Sequence, residues 1–302
     1  MARGTLREAL AAEFPLVTAL AHDALSARLI QRAGFRAFNV GGSALLAARH
    51  ALPDIGLIGL KEMTDGLRDI AAATDLPFIA DADDGYGDVK SVARTVAEYE
   101  ALGVGGMLIE DQLRDSKQQR ADKSAAVVEP EVIELKLRTA LATRDSRETL
   151  IIGRTDAYGA LGIEAALRRA ERFLEIGVDA VFIAGLRTPE DYARVGETLR
   201  GALLIAAMFE GSGTPWLTPA ELGRLGFSQV TYPVSVLFRM VEAMRTALAE
   251  LRAFGLGQAD MAPMPSASDV AGALNEAVEV ERWRAIERRF ASIARHGTGI
   301  AP

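Results

Sequence analysis

LPFIADADDGYGD, residues 76–88, begins as an apolar run and ends in acids. A run without polar alternation reads as a strand buried on both faces. The next stretch, VKSVARTVAEYEALGV (89–104), has apolar residues at helical spacing and closes on a glycine where a C-cap belongs. Together they make one strand–turn–helix unit. The turn holds four aspartates within eight residues, Asp81, Asp83, Asp84 and Asp88. Packed carboxylates at the end of a buried strand repel one another unless positive charge sits among them. A metal ion is the evident candidate for that charge.

Working outward, the same unit recurs. The other apolar runs are FPLVTAL (14–20), AFNVGG (37–42), GMLIED (106–111), TLIIGRTDA (149–157), AVFIAG (180–185), ALLIAAM (202–208) and SQVTYP (228–233), which makes eight in all. Helical patterns lie between them, among them DALSARLIQRAGF (23–35) and GIEAALRRAERFLEIGV (162–178). Strand–helix alternation of this kind predicts an α/β fold, a parallel (β/α)8 TIM barrel. A doubly wound open sheet is the rival, but no G-x-G-x-x-G follows the first strand. The barrel is expected over residues 1–255. Beyond it, GLGQADMAPMPSASD is a Gly/Pro/Ser-rich connection leading to a final helical pattern, DVAGALNEAVEVERWRAIERRFA. Residues 256–302 therefore read as a connection and helical extension. Val270, Leu274, Ala277, Val278 and Trp283 give the extension an apolar stripe, and a stripe must be buried against something. The expectation is a homo-oligomer in which this helix docks on a neighbouring subunit.

Composition narrows the partners. The 302 residues carry a net charge of −7, which argues against a general nucleic-acid binder. The basic cluster RRAERF (168–173) has helical spacing and reads as a solvated face. There is no cysteine, so disulfides, thiolate metal sites and a cysteine nucleophile are excluded. That suits a cytoplasmic protein. MARGTLREALAAEF (1–14) reads as an amphipathic helix, neither signal peptide nor anchor. No apolar run approaches the roughly 20 residues of a membrane span.

In such a barrel, function collects at the C-terminal ends of the strands. Strand two ends in Gly41, Gly42 and Ser43, strand three in Asp81, Asp83 and Asp84, strand four in Glu110 and Asp111, strand five in Arg154 and Asp156. Acids from adjacent strands and one arginine thus converge on one mouth. All are hard oxygen donors with no histidine among them, which favours Mg2+ or Mn2+ over zinc. Acids at strand ends also cap the helices that follow. Asp84 and Asp88 read as such turn and cap residues, whereas capping explains a joint pattern on two strands less well. Arg154 reads either as an ion-pair partner of Glu110 or Asp156, or as a clamp for a substrate carboxylate or phosphonate. Tyr86 is a loop residue or reaches the mouth. The histidines His22, His50 and His296 are scattered.

These residues resemble the isocitrate lyase/phosphoenolpyruvate mutase superfamily. The resemblance runs through HDALSARLIQRAGF (22–35), VGGSALLAARHALPDIGL (40–57), IADADDGYG (79–87), GVGGMLIEDQ (103–112), IIGRTDA (151–157) and TPWLTPAELGRLGFSQVTYPVSVLFRM (214–240). It implies a (β/α)8 barrel that assembles by swapping its last helix, as a dimer of helix-swapped dimers. It implies Mg2+ near Asp81 and Asp83, with Asp54 and Glu110 as further or water-mediated ligands. It also implies a small 2-oxo or 2-hydroxy carboxylate as substrate, its carboxylate held by the Gly42–Ser43 backbone and Arg154.

The departures from the family pattern shape the expected reaction. Lyases of this superfamily carry K-[KR]-C-G-H in a loop after strand four, with the cysteine as acid/base. Here the loop reads EDQLRDSKQQRADKS (110–124). Lys117 matches the lysine, and Gln119 stands where the cysteine would be. Ala184 and Ala207 stand where the lyases place a glutamate and an asparagine, although Glu210 is kept as a substrate contact. The mutases' loop is absent too. Oxaloacetate-type decarboxylation needs no acid at the leaving group, so a Mg2+-dependent carbon–carbon lyase of that type is expected, with Arg154, Lys117 and Gln119 in catalytic roles. The alternatives are a 2-methylisocitrate/dimethylmalate-type lyase, a phosphonopyruvate-type C–P enzyme and a non-catalytic binder of 2-oxo acids.

Overall fold

A computed structural model describes residues 4–114, 117, 126–211 and 213–297. The chain forms two compact units, residues 1–240 and 241–302. The division falls inside a helix, ahead of the 255/256 boundary expected from the connection.

In the first unit the order is α1 (Leu6–Ala12), β1 (Leu16–Ala19), α2 (Ala24–Arg32), β2 (Phe38–Val40), α3 (Gly42–His50), α4 (Leu60–Ala73), β3 (Phe78–Asp81), α5 (Val89–Ala101), β4 (Gly106–Glu110) and α6 (Pro130–Thr143). It continues with β5 (Leu150–Thr155), α7 (Ala157–Leu161), α8 (Ile163–Ile176), β6 (Ala180–Ile183), α9 (Pro189–Thr198), β7 (Leu204–Ala207), α10 (Pro219–Arg224) and β8 (Phe227–Tyr232). All eight apolar runs are strands. They form one parallel sheet in the order β1-β8-β7-β6-β5-β4-β3-β2. A parallel bridge between Leu20 and Asn39 joins the two outer strands, so the sheet all but closes into a barrel. The (β/α)8 reading holds.

Two apolar layers hold the barrel. Inside it pack Leu16, Ile79, Leu108, Ile152, Phe182 and Ile205. Helix α1 closes the floor: its Leu6 lies against Gly105 and Gly106 at the start of β4. Thr5 caps α1 and Glu8 completes a capping box. The second layer lies between strands and helices. There Phe38 and Phe78 stack with centroids 5.1 Å apart, and α5 contributes Val92, Val96 and Tyr99. The amphipathic helix α8 ends on Gly177 at φ 98°, a left-handed cap that suits glycine.

The second unit holds most of α11 (Ser235–Gly255), then α12 (Ala267–Ala277) and α13 (Val280–Gly297). The single helical pattern read from the sequence is therefore two helices. They part at Glu279, whose backbone is left-handed at φ 55°. The expected stripe is divided by that break: Val270 and Leu274 lie on α12, Val278 at the break and Trp283 on α13. These four side chains are exposed, and Ala277 is buried. No helix among the described residues is long and apolar enough to cross a membrane.

Candidate active site

The C-terminal rim of β2–β5 assembles the charged residues. Asp81 ends β3. Its Oδ1 accepts from Asp83 N (3.0 Å) and its Oδ2 faces Gly42 N at the first turn of α3 (3.4 Å). A helix N-terminus with free N–H groups favours a carboxylate there. Gly41, just before that helix, has no room for a side chain, since a Cβ would come within 2.7 Å of Leu20 Cδ2. Asp83 turns back in a left-handed conformation, φ 45°, which aspartate tolerates better than most residues. Its carbonyl accepts from Glu110 N at 2.8 Å, fixing β3 to β4 beyond the last strand residue.

Carboxylate oxygens of Asp81, Asp83 and Glu110 all lie within 4.8 Å of one another. Asp54 arrives from the segment between α3 and α4. Lys117 Nζ lies 2.9 Å from Asp54, 3.0 Å from Asp83 and 3.9 Å from Glu110. On the other side, Arg154 Nη1 lies 2.6 Å from Glu110, while Nε and Nη2 grip Asp156 at 2.9 Å each. Burial, reinforced by the charge of Asp81, pushes Asp83 up to about 6. Burial likewise holds Glu110 well above the usual carboxylate range, despite Arg154. For Lys117 burial opposes the charge, but the surrounding carboxylates outweigh it and keep the ammonium protonated.

This donor set fits a hard divalent cation. Asp54 Oδ1 and Glu110 Oε2 are buried and meet cations without an aligned hydrogen bond. Such oxygens have donor capacity left for a metal or its water. Asp81, Asp83, Glu110 and Asp54 are the residues that would hold it.

A cavity of about 380 Å³ opens beside the cluster. Gly41, Ser43, Asp54, Asp81, Lys117 and Arg154 line it. Asp83 and Glu110 are buried and do not line it. Glu210 does not line it; instead it lies 2.5 Å from Arg239, an exposed ion pair. Gln119 lies outside the described residues. Ala207 lines the cavity.

Several acids at the rim serve the fold. Asp111 is fully buried and accepts from Thr155 Oγ1 (2.6 Å), Asp156 N (2.8 Å) and Arg169 (3.0 Å). Alternation along a strand sends Glu110 to one side and Asp111 to the other. Asp84 binds Lys136 and the Tyr86 N–H, and Asp88 caps α5. The sequence reading missed Arg114, which reaches Asp83, Asp84 and the Ile58 carbonyl. It also missed Tyr99, whose hydroxyl donates to the Asp81 carbonyl at 2.8 Å and meets Tyr86 Oη at 3.0 Å. Tyr86 Oη also donates to the same carbonyl, at 3.4 Å. A buried tyrosine in a helix carries no signal beyond core packing, so nothing in the sequence marks this role.

Residues 6–252 match the family described as phosphoenolpyruvate phosphomutase. The chain belongs to the phosphoenolpyruvate phosphomutase family. Among its relatives, this family member is 39% identical over 235 residues to a probable 2-methylisocitrate lyase of Corynebacterium glutamicum, covering 78% of this chain and 76% of that one. It is 34% identical over 287 residues to the 2,3-dimethylmalate lyase of Eubacterium barkeri, covering 95% and 97%. Its fold matches oxaloacetate acetylhydrolase solved with the inhibitor 3,3-difluorooxalacetate (TM-score 0.81, 29% identity, 93% and 96% covered). It matches phosphonopyruvate hydrolase solved with oxalate and Mg2+ equally well (TM-score 0.80, 29% identity, 95% and 98% covered). The phosphoenolpyruvate phosphomutase family member is an enzyme, and a carbon–carbon lyase acting on small carboxylates is what these relatives support.

Proposed function

We propose that the chain is a Mg2+-dependent lyase that breaks the β C–C bond of a small 2-oxo dicarboxylate, in the manner of oxaloacetate decarboxylation. The observation that carries this reading is the cavity itself. Its lining brings Asp54, Asp81, Lys117 and Arg154 together, and the position of Ala207 offers no polar group for a second half of a tricarboxylate. When bound, Mg2+ would supply a Lewis acid that offsets the charge developing on the C2 oxygen as the bond breaks. Mn2+ suits the same oxygen donors.

The chain's own residues do the rest. Arg154 spends three N–H groups on Glu110 and Asp156, leaving two of its five donors for a substrate carboxylate. The backbone at Gly42 and Ser43, opening α3, serves the same carboxylate. As C3–C4 breaks, its electron pair enters the C2–C3 enolate and carbon dioxide leaves. A proton then returns to C3, and Lys117, on the cavity wall, is the proposed donor. No acid is required at the leaving group, which accords with a chain that lacks cysteine. Gln119 is proposed to contact the departing group from the loop.

A panel of oxaloacetate, 2-methylisocitrate, 2,3-dimethylmalate and phosphonopyruvate with Mg2+, followed by product NMR, tests this reading. Pyruvate and carbon dioxide from oxaloacetate are expected. Efficient cleavage of 2-methylisocitrate to pyruvate and succinate would overturn it, as would oxalate and acetate from oxaloacetate. A second reading, the 2-methylisocitrate/dimethylmalate-type lyase, draws on the 39% and 34% identities.

We further propose that the chain assembles as a homo-oligomer, in which the exposed apolar side chains of α12 and α13 are covered by a neighbouring copy. Sedimentation at micromolar concentration is expected to give a dimer or larger. A monomer there would sink the idea.

A further inference from the structure

Below the charged rim, the inside of the barrel carries four neutral polar side chains. They are Thr18 on β1, Asn39 on β2, and Gln229 and Thr231 on β8, and all four are buried. Alternation places them there: Phe38, Val40 and Val230 pack in the layer under the helices, so their neighbours along each strand point inward. Thr18 Oγ1 donates to the Val230 carbonyl at 3.4 Å. It therefore accepts from Gln229, whose Nε2 donates to it at 3.0 Å and gives its other hydrogen to Asn39 Oδ1, also at 3.0 Å. These bonds decide which end of the Asn39 amide is which. With Oδ1 engaged, the Nδ2 donors are left over, and among the described residues they meet no acceptor. Thr231 Oγ1 is buried with no hydrogen-bond partner at all. Asn39 and Thr231 both line the cavity, whereas Gln229 does not. A buried polar atom without a partner is costly and calls for an account; a ligand oxygen in the cavity supplies one.

We infer that Asn39 Nδ2 and the Thr231 hydroxyl hold the carboxylate that departs, and that Gln229 is a positioning residue that keeps Asn39 donor-first; this rests on the decarboxylation reading proposed above and adds the seat of the leaving group. The chemistry favours neutral donors at that seat. The C4 carboxylate is anionic before the step and leaves as neutral carbon dioxide, its bonding pair having passed into the enolate. A cation beside it would attract the ground state more than the transition state and so slow the step. An amide and a hydroxyl orient the same group and lose less as its charge drains away. Arg154 is reserved for the C1 carboxylate, whose charge the step leaves unchanged.

Calorimetry with Mg2+ tests this without turnover. Malate and lactate share a carboxylate and a 2-hydroxyl, and only malate has the distal carboxylate. Malate is expected to bind the wild type about tenfold more tightly than lactate. Asn39→Leu and Thr231→Val should each weaken malate about five- to tenfold and lactate less than twofold. Gln229→Met, although outside the cavity, should show the same selective loss on a smaller scale. In steady-state kinetics Asn39→Leu should raise KM for oxaloacetate with kcat unchanged or higher. A merely structural role would weaken both ligands together, and that result, or no loss for malate in either contact variant, would overturn the inference. So would a selective loss in Gln112→Met alone, since Gln112 also lines the cavity with Oε1 buried and unpartnered. Wild-type protein that binds lactate and oxalate but malate no more tightly would overturn the inference by itself. Failure to bind lactate and oxalate would overturn the oxo-acid reading beneath it, and the inference with it.

Discussion

Asp81→Ala and Asp83→Ala are each expected to weaken divalent-metal binding by more than about 100-fold and to abolish Mg2+-dependent turnover. Loss of a partner one shell out from a metal already costs about 10- to 100-fold, and these carboxylates would touch the proposed ion or its water. The barrel should survive both changes, because neither side chain belongs to the apolar layers. Asp83→Ala carries a backbone cost, since alanine at φ 45° is unfavourable by roughly 1–2 kcal/mol. Asp83→Asn keeps the shape and tolerates that conformation, so it separates charge from strain. Titration with Mn2+ followed by electron paramagnetic resonance reads the affinity directly. The sign with pH is also fixed. Asp83 is raised to about 6, and a cation must displace its proton, so wild-type affinity should fall as pH drops below that value. If either alanine variant bound metal as the wild type does, the carboxylate cluster would have another purpose.

Arg154→Ala is expected to lower kcat/KM for oxaloacetate by about 100- to 1000-fold, far more than Gln119→Ala. Removing one partner of a buried ion pair leaves the other charge uncompensated, at a cost on the order of 3–5 kcal/mol. Here that charge is Glu110, 3% exposed, beside Asp156. A lower melting temperature should therefore accompany the kinetic loss, and alanine alone would not tell binding from folding. Arg154→Lys supplies the distinction. It keeps a positive charge near Glu110 but lacks the fork that holds Asp156 with two bonds and still offers N–H groups to substrate. Recovery of the melting temperature without recovery of kcat/KM is the expected result. Wild-type kcat/KM in Arg154→Lys, or a Gln119→Ala defect as large as that of Arg154→Ala, would remove Arg154 from the substrate site.

The barrel was legible because its strands are buried on both faces and so appear as short apolar runs with turn and helix signals between them. The charged rim was legible for the same reason: a polar residue that ends such a run has few places to go except the mouth. Asp111 shows the limit of that argument. It stands next to Glu110 at the same strand end, yet alternation turns it toward Thr155 and Arg169. The break at Glu279 carries no glycine or proline to announce it. The direction of Glu210 was not legible because it lies beyond the end of β7, where loop conformation, which residue order does not dictate, decides where a side chain goes. Arg114 and Tyr99 escaped because their roles exist only through contacts far along the chain.

Lys117 has a consequence for how such a protein matures. Many small metal sites are incoherent until the ion arrives, so that loading and folding are one event. Here a lysine ammonium already lies within 3.0 Å of both Asp54 and Asp83, and Arg154 attends to Glu110. The nascent chain carries its own counterions. Charge balance at the rim therefore does not depend on a bound cation, and a cation entering between Asp54 and Asp83 would meet an ammonium already seated there.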